Sequence, residues 1–175
     1  MPIATIRTIP ALLVLVLIAA CAAPAPAPER GFRDPTAPFA STSRFDTARF
    51  AGEWVRVAAF TASGQTPASA RYLYRTTTTG QIVADVTGAD GVTQRQVYDL
   101  AAAGRFRAIG QESQQEELWL LWVDEGFRTA VLGTPSGSQA FILDRSATPA
   151  PDRLRAALEI LDWYGYDMTR LQSAL

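Results

Sequence analysis

FDTARFAGEWVRVAAF, residues 45–60, is the stretch on which the reading of the fold turns. At its centre Gly52 and Trp54 flank Glu53, and among Val55–Phe60 only Arg56 is polar. Glycine accepts turn conformations that crowd a side chain, and a large aromatic followed by Val-rich residues suits a strand. The stretch therefore reads as a turn opening a first β-strand. A glycine and a tryptophan two residues apart carry little by themselves, because tryptophan ordinarily fills a core. Their meaning depends on the rest of the chain.

Downstream, turn signals recur at short intervals. They divide the chain into expected strands at residues 54–61, 71–77, 82–86, 92–100, 105–109, 117–123, 127–132 and 139–145. Short, evenly spaced strands with tight turns indicate an all-β sandwich or barrel. No connection is long enough for a Greek-key crossover, so each strand is expected to pair with its sequence neighbour. Eight strands in that order close most simply into an antiparallel up-and-down barrel, which leaves no exposed edge.

The second to fifth strands alternate, with Tyr72 and Tyr74 opposed to Arg71 and Arg75. The sixth, LWLLWV at 118–123, is apolar on both faces, and the eighth nearly so. A cover must therefore lie outside the sheet there. Trp119 and Trp122, an odd number apart, are expected on opposite faces, one lining the interior and one beneath the cover. The cover is read as a C-terminal helix: Pro149 and Pro151 stop the last strand, and Asp152 sits in the first turn. Leu154, Leu158 and Leu161 recur at helical spacing, Ile160 and Trp163 widen the apolar side, and Gly165 is placed to end it. The expected fold is all-β, an eight-stranded barrel with one α-helix packed outside.

Composition removes several chemistries. The chain has no His and a single Cys, Cys21, so it cannot assemble a Ser-His-Asp triad, a His-ligated haem, the usual zinc sites or an intramolecular disulfide. Its 16 basic residues, all Arg, are balanced by 17 acidic ones, which leaves no electrostatic footprint for nucleic acid. No metal, cofactor or catalytic residue is expected; carboxylate chemistry stays open, but nothing in the spacing of Asp85, Asp99 or Glu112 argues for it.

The N-terminus reads as an address. Met1–Ala20 carries Arg7 and then an apolar run, Ala11–Ala20, about half the ~20 residues of a membrane-spanning helix. Leu17-Ile18-Ala19-Ala20 before Cys21 resembles the bacterial lipobox, which implies cleavage before Cys21 and acylation of its thiol. Ala22 as the following residue favours the outer membrane by the same resemblance. The region 21–44, with five prolines between Pro24 and Pro38, is expected to be a mobile tether from the acylated cysteine to a domain at 45–175.

Four blocks in order give this domain a family likeness. They are Phe45, Asp46, Arg49 and Phe50 leading into Gly52-x-Trp54; Asp124 with Phe127; Phe141-Ile142-Leu143-x-Arg145; and Gly165-Tyr166-Asp167. Together they resemble the lipocalins, specifically the bacterial membrane-anchored type related to apolipoprotein D. Phe127 stands where Tyr is common and Phe141 where bacterial members often carry Trp. The resemblance implies structural roles for Gly52, Trp54, Asp124 and Arg145, with Trp54 closing the barrel floor and Arg145 over its ring. It also implies a fatty acid or lysophospholipid held in a cup-shaped cavity; alternation along the strands gives its lining as Arg56, Ala58 and Phe60 on the first strand and Tyr72 and Tyr74, or their neighbours, on the second. Arg56 shares the inward face of Trp54, and two readings of it stay open: meeting a ligand carboxylate or phosphate, or pairing with an internal acid such as Asp85. The expected protein is a monomer or weak dimer, membrane-anchored with its domain in the periplasm. The alternative is a structural or interaction lipoprotein whose barrel is filled by its own side chains.

Overall fold

The structure, a computed structural model, describes residues 31–61, 65–110 and 114–175. The expected signal peptide, Cys21 and the first part of the expected tether lie outside them.

The polypeptide enters the barrel through α1 (Thr47–Phe50), one turn capped by Asp46, whose carboxylate accepts from the Arg49 N–H at 3.0 Å. β1 (Gly52–Phe60), β2 (Ala70–Thr76), β3 (Ile82–Gly88), β4 (Thr93–Ala102), β5 (Arg105–Ala108), β6 (Leu118–Val123), β7 (Thr129–Gly133) and β8 (Ala140–Asp144) follow, then helix α2 (Pro151–Trp163) and a short β9 (Leu171–Ser173). Each of the eight long strands pairs antiparallel with its neighbour, and β1 pairs with both β8 and β2. This is the closed barrel expected from the turn spacing. Register stacks the inward residues in layers: Trp54 lies opposite Tyr72, Tyr72 opposite Val86, and Val86 opposite Gln94.

Two β-bulges change which residues face inward. In β1 the register to β8 slips between Arg56 and Ala58. A bulge adds one unpaired residue and so shifts the alternation by one. Val57 and Ala58 consequently both face outward, Ala59 turns in, and Phe60 turns out onto Tyr166 and Phe32, with centroids 5.1 and 5.6 Å away. The expected inward placement of Ala58 is corrected accordingly; Phe60 packs on the outer cluster yet still borders the cavity. A second slip, between Leu120 and Trp122 in β6, puts Trp119, Leu121 and Trp122 all on the outer side and Leu118, Leu120 and Val123 inside. Neither tryptophan lines the interior.

Helix α2 covers that outer surface. Ala157 and Leu161 are buried, with Leu154, Leu158 and Ile160 packed beside them. Trp163 departs from expectation: two residues beyond Leu161 it lies some 200° around the helix, and it is 62% exposed. A buried polar cluster ties the helix to the barrel. Arg153 donates to Thr129 Oγ1 (2.8 Å) and reaches Asp144 at 3.4 Å, while Thr129 Oγ1 donates to the fully buried Asp144 carboxylate.

Residues 31–44, expected to be part of a mobile tether, form a strap along the outside of the barrel. Arg33 is buried, donating to the carbonyls of Tyr164, Pro135, Ala37 and Pro38. Phe39 stacks on Trp119 at 5.1 Å, and the Thr42 N–H donates to Leu120 O at 2.8 Å. Apolar and hydrogen-bonding side chains at 32, 33 and 39, set among the Pro and Ala residues, account for the docking. The strap begins beside the β7–β8 turn, where the Phe32 N–H donates to Gly137 O, and ends at the opposite pole, where Phe45 packs on Phe106 at 5.4 Å.

Candidate functional site

The pole at Trp54 is closed. Phe50 lies on Trp54, Tyr74 and Phe106 with centroid separations of 5.0, 4.9 and 6.0 Å, and Trp54 Nε1 donates to Phe50 O at 2.8 Å. Arg145 clamps this floor from outside, its Cζ 3.8 Å from the Trp54 ring centroid. Its guanidinium donates to the carbonyls of Glu53 (2.7 Å), Arg49 (2.8 Å), Ala51 (2.9 Å), Phe127 (3.2 Å) and Phe50 (3.3 Å). Gly52 is needed here twice over: its φ is +100°, and a Cβ would stand 3.1 Å from Arg145 Nη1. Asp124 organises the adjoining turn by accepting from the N–H groups of Gly126, Arg128 and Thr129. Burial disfavours its charge, but those bonds and the Arg128 side chain outweigh it and hold its pKa below the ordinary carboxylate range. This pole has an architectural role.

The opposite end opens into a cavity of about 250 Å3, bordered by Arg56, Tyr72, Tyr74, Gln96, Tyr98 and Phe141 among others, with Gln115, Glu116 and Gln139 near the rim. Of the expected lining residues, Arg56, Phe60, Tyr72 and Tyr74 border this cavity; Ala58 does not, its place taken by Ala59. Gln96 and Tyr98 were not singled out from sequence. Their signal is the hairpin register, which puts Gln96 opposite Ala84 and Ala84 opposite Tyr74.

Burial raises the pKa of Tyr72, partly countered by the neighbouring Arg56, and raises that of Tyr74 well above its ordinary value. Both rings stay neutral and serve as hydrogen-bonding walls. Arg56 is then the one cation on the described lining. One of its Nη groups donates to Ala68 O, whereas its Nε is buried with no hydrogen-bond partner among the described residues. A buried donor left unpaired costs about 1–3 kcal/mol. The internal acid considered as its partner is elsewhere: Asp85 faces outward between Arg75 and Arg95, with Arg95 Nε at 2.7 Å.

Residues 45–175, 131 of 175, match the family described as Lipocalin-like domain. The chain belongs to the lipocalin-like family. No curated protein matches it. Lipocalins are typically non-enzymatic binding proteins, and a lipocalin barrel implies a small hydrophobic ligand. In this lipocalin the space for one lies at the end away from Trp54 and Arg145. Among the described residues no group of three or more Cys, Asp or Glu side chains is arranged to hold a metal ion.

Proposed function

We propose that this lipocalin is a lipid-anchored protein of the bacterial envelope that binds a small lipophilic ligand of the fatty acid or lysophospholipid class. The observation that carries the ligand reading is the open-ended cavity in which Arg56 presents a buried, unpartnered Nε. The anchor reading rests on the lipobox-like run before Cys21 and favours the outer membrane, with the domain in the periplasm. Only residues 22–30 separate Cys21 from the strap, about 35 Å at full stretch. The strap begins at the open end of the barrel, so an acylated Cys21 would keep the mouth on the bilayer side.

Native mass spectrometry of the full chain released from membranes tests the ligand: a bound lipid of defined mass supports the reading. The competing one, a structural lipoprotein with a filled barrel, draws on the Phe45, Phe50 and Phe106 plug that occupies the floor. Only apo protein, together with no saturable uptake of fatty acid at micromolar concentration, would favour it. Metabolic labelling with an alkyne palmitate tests the anchor, which Cys21→Ala should abolish along with membrane fractionation.

A further inference from the structure

Arg56 divides the space above the plug into two parts of opposite character. On its inner side lie the Tyr72, Tyr74 and Tyr98 rings and Gln96. On its outer side a vestibule of about 430 Å3 is bordered mainly by small or apolar residues, Ala68, Ala70, Val86, Ala89 and Val92, the last 56% exposed at the rim. Arg56 and Val86 border both spaces, so the two meet at the guanidinium. Beside Arg56 the inner space presents tyrosine hydroxyls and Gln96, whereas the vestibule is mostly small and apolar, with Ser69, Asp90 and Gln94 among its borders.

We infer that the lipocalin takes a monocarboxylate amphiphile head first, with the carboxylate on Arg56 beside Tyr72 and the apolar tail in the vestibule against Ala70, Val86 and Val92. This rests on the ligand-binding reading above and adds the head group and its direction. A guanidinium binds a carboxylate through parallel N–H groups; here Nε is buried and unpartnered and the neighbouring Nη donates to Ala68 O, so a carboxylate takes both by displacing that carbonyl. Arg56 is the sole cation on the described lining of either space, which matches one negative charge better than two. The acids at the rims are held by neutral donors away from Arg56: Glu116 accepts from Ser136, and Asp90 accepts from the Val92 N–H. The Tyr98 hydroxyl donates to Gln96 Oε1, and tail-first entry would press methylenes against the remaining polar groups, the Tyr72 and Tyr74 hydroxyls and the Gln96 amide nitrogen, removing their water without replacing it. A mouth held toward the bilayer also meets the head group of an amphiphile before its tail.

The full chain in lipid nanodiscs, with empty nanodiscs as the partition blank, is titrated with decanoate, decanol, 2-bromodecanoate and 10-bromodecanoate. Bromine quenches tryptophan more strongly the nearer it lies, and Trp54, paired with the lining residue Tyr72 across β1 and β2, is the one tryptophan in the barrel core. The 2-bromo acid is expected to quench at least twice as strongly as the 10-bromo acid. Arg56→Gln should weaken decanoate at least tenfold and decanol less than twofold. Stronger quenching by the 10-bromo acid, or decanoate affinity unchanged in Arg56→Gln, overturns the head-first inference and leaves ligand binding standing. No saturable binding of either decanoate or decanol overturns the ligand-binding reading itself and this inference with it. The bromine comparison uses the unaltered chain, so it decides the orientation even if Arg56→Gln fails to fold.

Discussion

Arg145→Met should destabilise the barrel by about 3 kcal/mol without weakening ligand binding. The guanidinium lies 3.8 Å from the centroid of a fully buried Trp54 ring, a contact worth about 1–2 kcal/mol. Its bonds to the Glu53 and Arg49 carbonyls are solvent-exposed, so water replaces them when the side chain goes. Those to Phe127, Phe50 and Ala51 are partly buried and contribute the remainder. For a domain of this size the sum lowers Tm by about 10 °C, readable by circular dichroism or calorimetry. Arg145→Lys should fall between, because an ammonium neither stacks flat on indole nor spans several carbonyls. A double-mutant cycle with Trp54→Leu should show a coupling of about 1–2 kcal/mol. A Tm drop under about 3 °C would refute the clamp; so would a tenfold loss of ligand affinity at unchanged Tm.

Other perturbations test separate parts of the fold. Gly52→Ala combines a left-handed φ with a close approach to Arg145, and calorimetry should show a loss of about 1–3 kcal/mol. Asp124→Asn should destabilise at pH 7, because the carboxylate holds three backbone N–H groups in its charged form. The folded pKa is depressed, so that stabilisation is complete above the ordinary value of about 3.9 and is lost as pH falls through the folded pKa. The Tm gap between wild type and Asp124→Asn should accordingly close in acid, and a gap independent of pH would contradict the assignment. Arg153→Met leaves Asp144 fully buried beside Thr129 without its cation, and urea unfolding should report a loss of about 3 kcal/mol. A domain begun at residue 45 should melt below one begun at residue 31, since the shorter form uncovers Trp119 and Tyr164.

The barrel was legible because its signals are local: glycine-bearing turns, alternation in β2 to β4, and a helical leucine pattern after Pro151. Inward facing was legible only up to the bulges. Val57 and Ala58 are both small and apolar, so nothing in the order of residues marks the slip between Arg56 and Ala58. LWLLWV in β6 is apolar throughout, and any register looks alike there. Arg56 lies before the bulge in β1, which is why its inward side could be read by counting from Trp54. The strap escaped because proline and alanine dominate its composition, whereas Phe32, Arg33 and Phe39 decide its position through contacts with residues far along the chain. Trp163 shows the reverse case, a large apolar residue of the helix whose angular position leaves it in solvent.

That strap also imposes an order of events on the newly made chain. Arg33 Nε donates to Tyr164 O, 131 residues later, and the Asp34 N–H donates to Gly165 O. The first part of the domain to be synthesised therefore docks on a surface that does not exist until the last part has followed. Contacts so distant in sequence form slowly. In the interval Trp119 and the outer face of β6 stand uncovered, which is when association between unfinished copies competes with folding. For this domain, folding closes with the return of its beginning to its end.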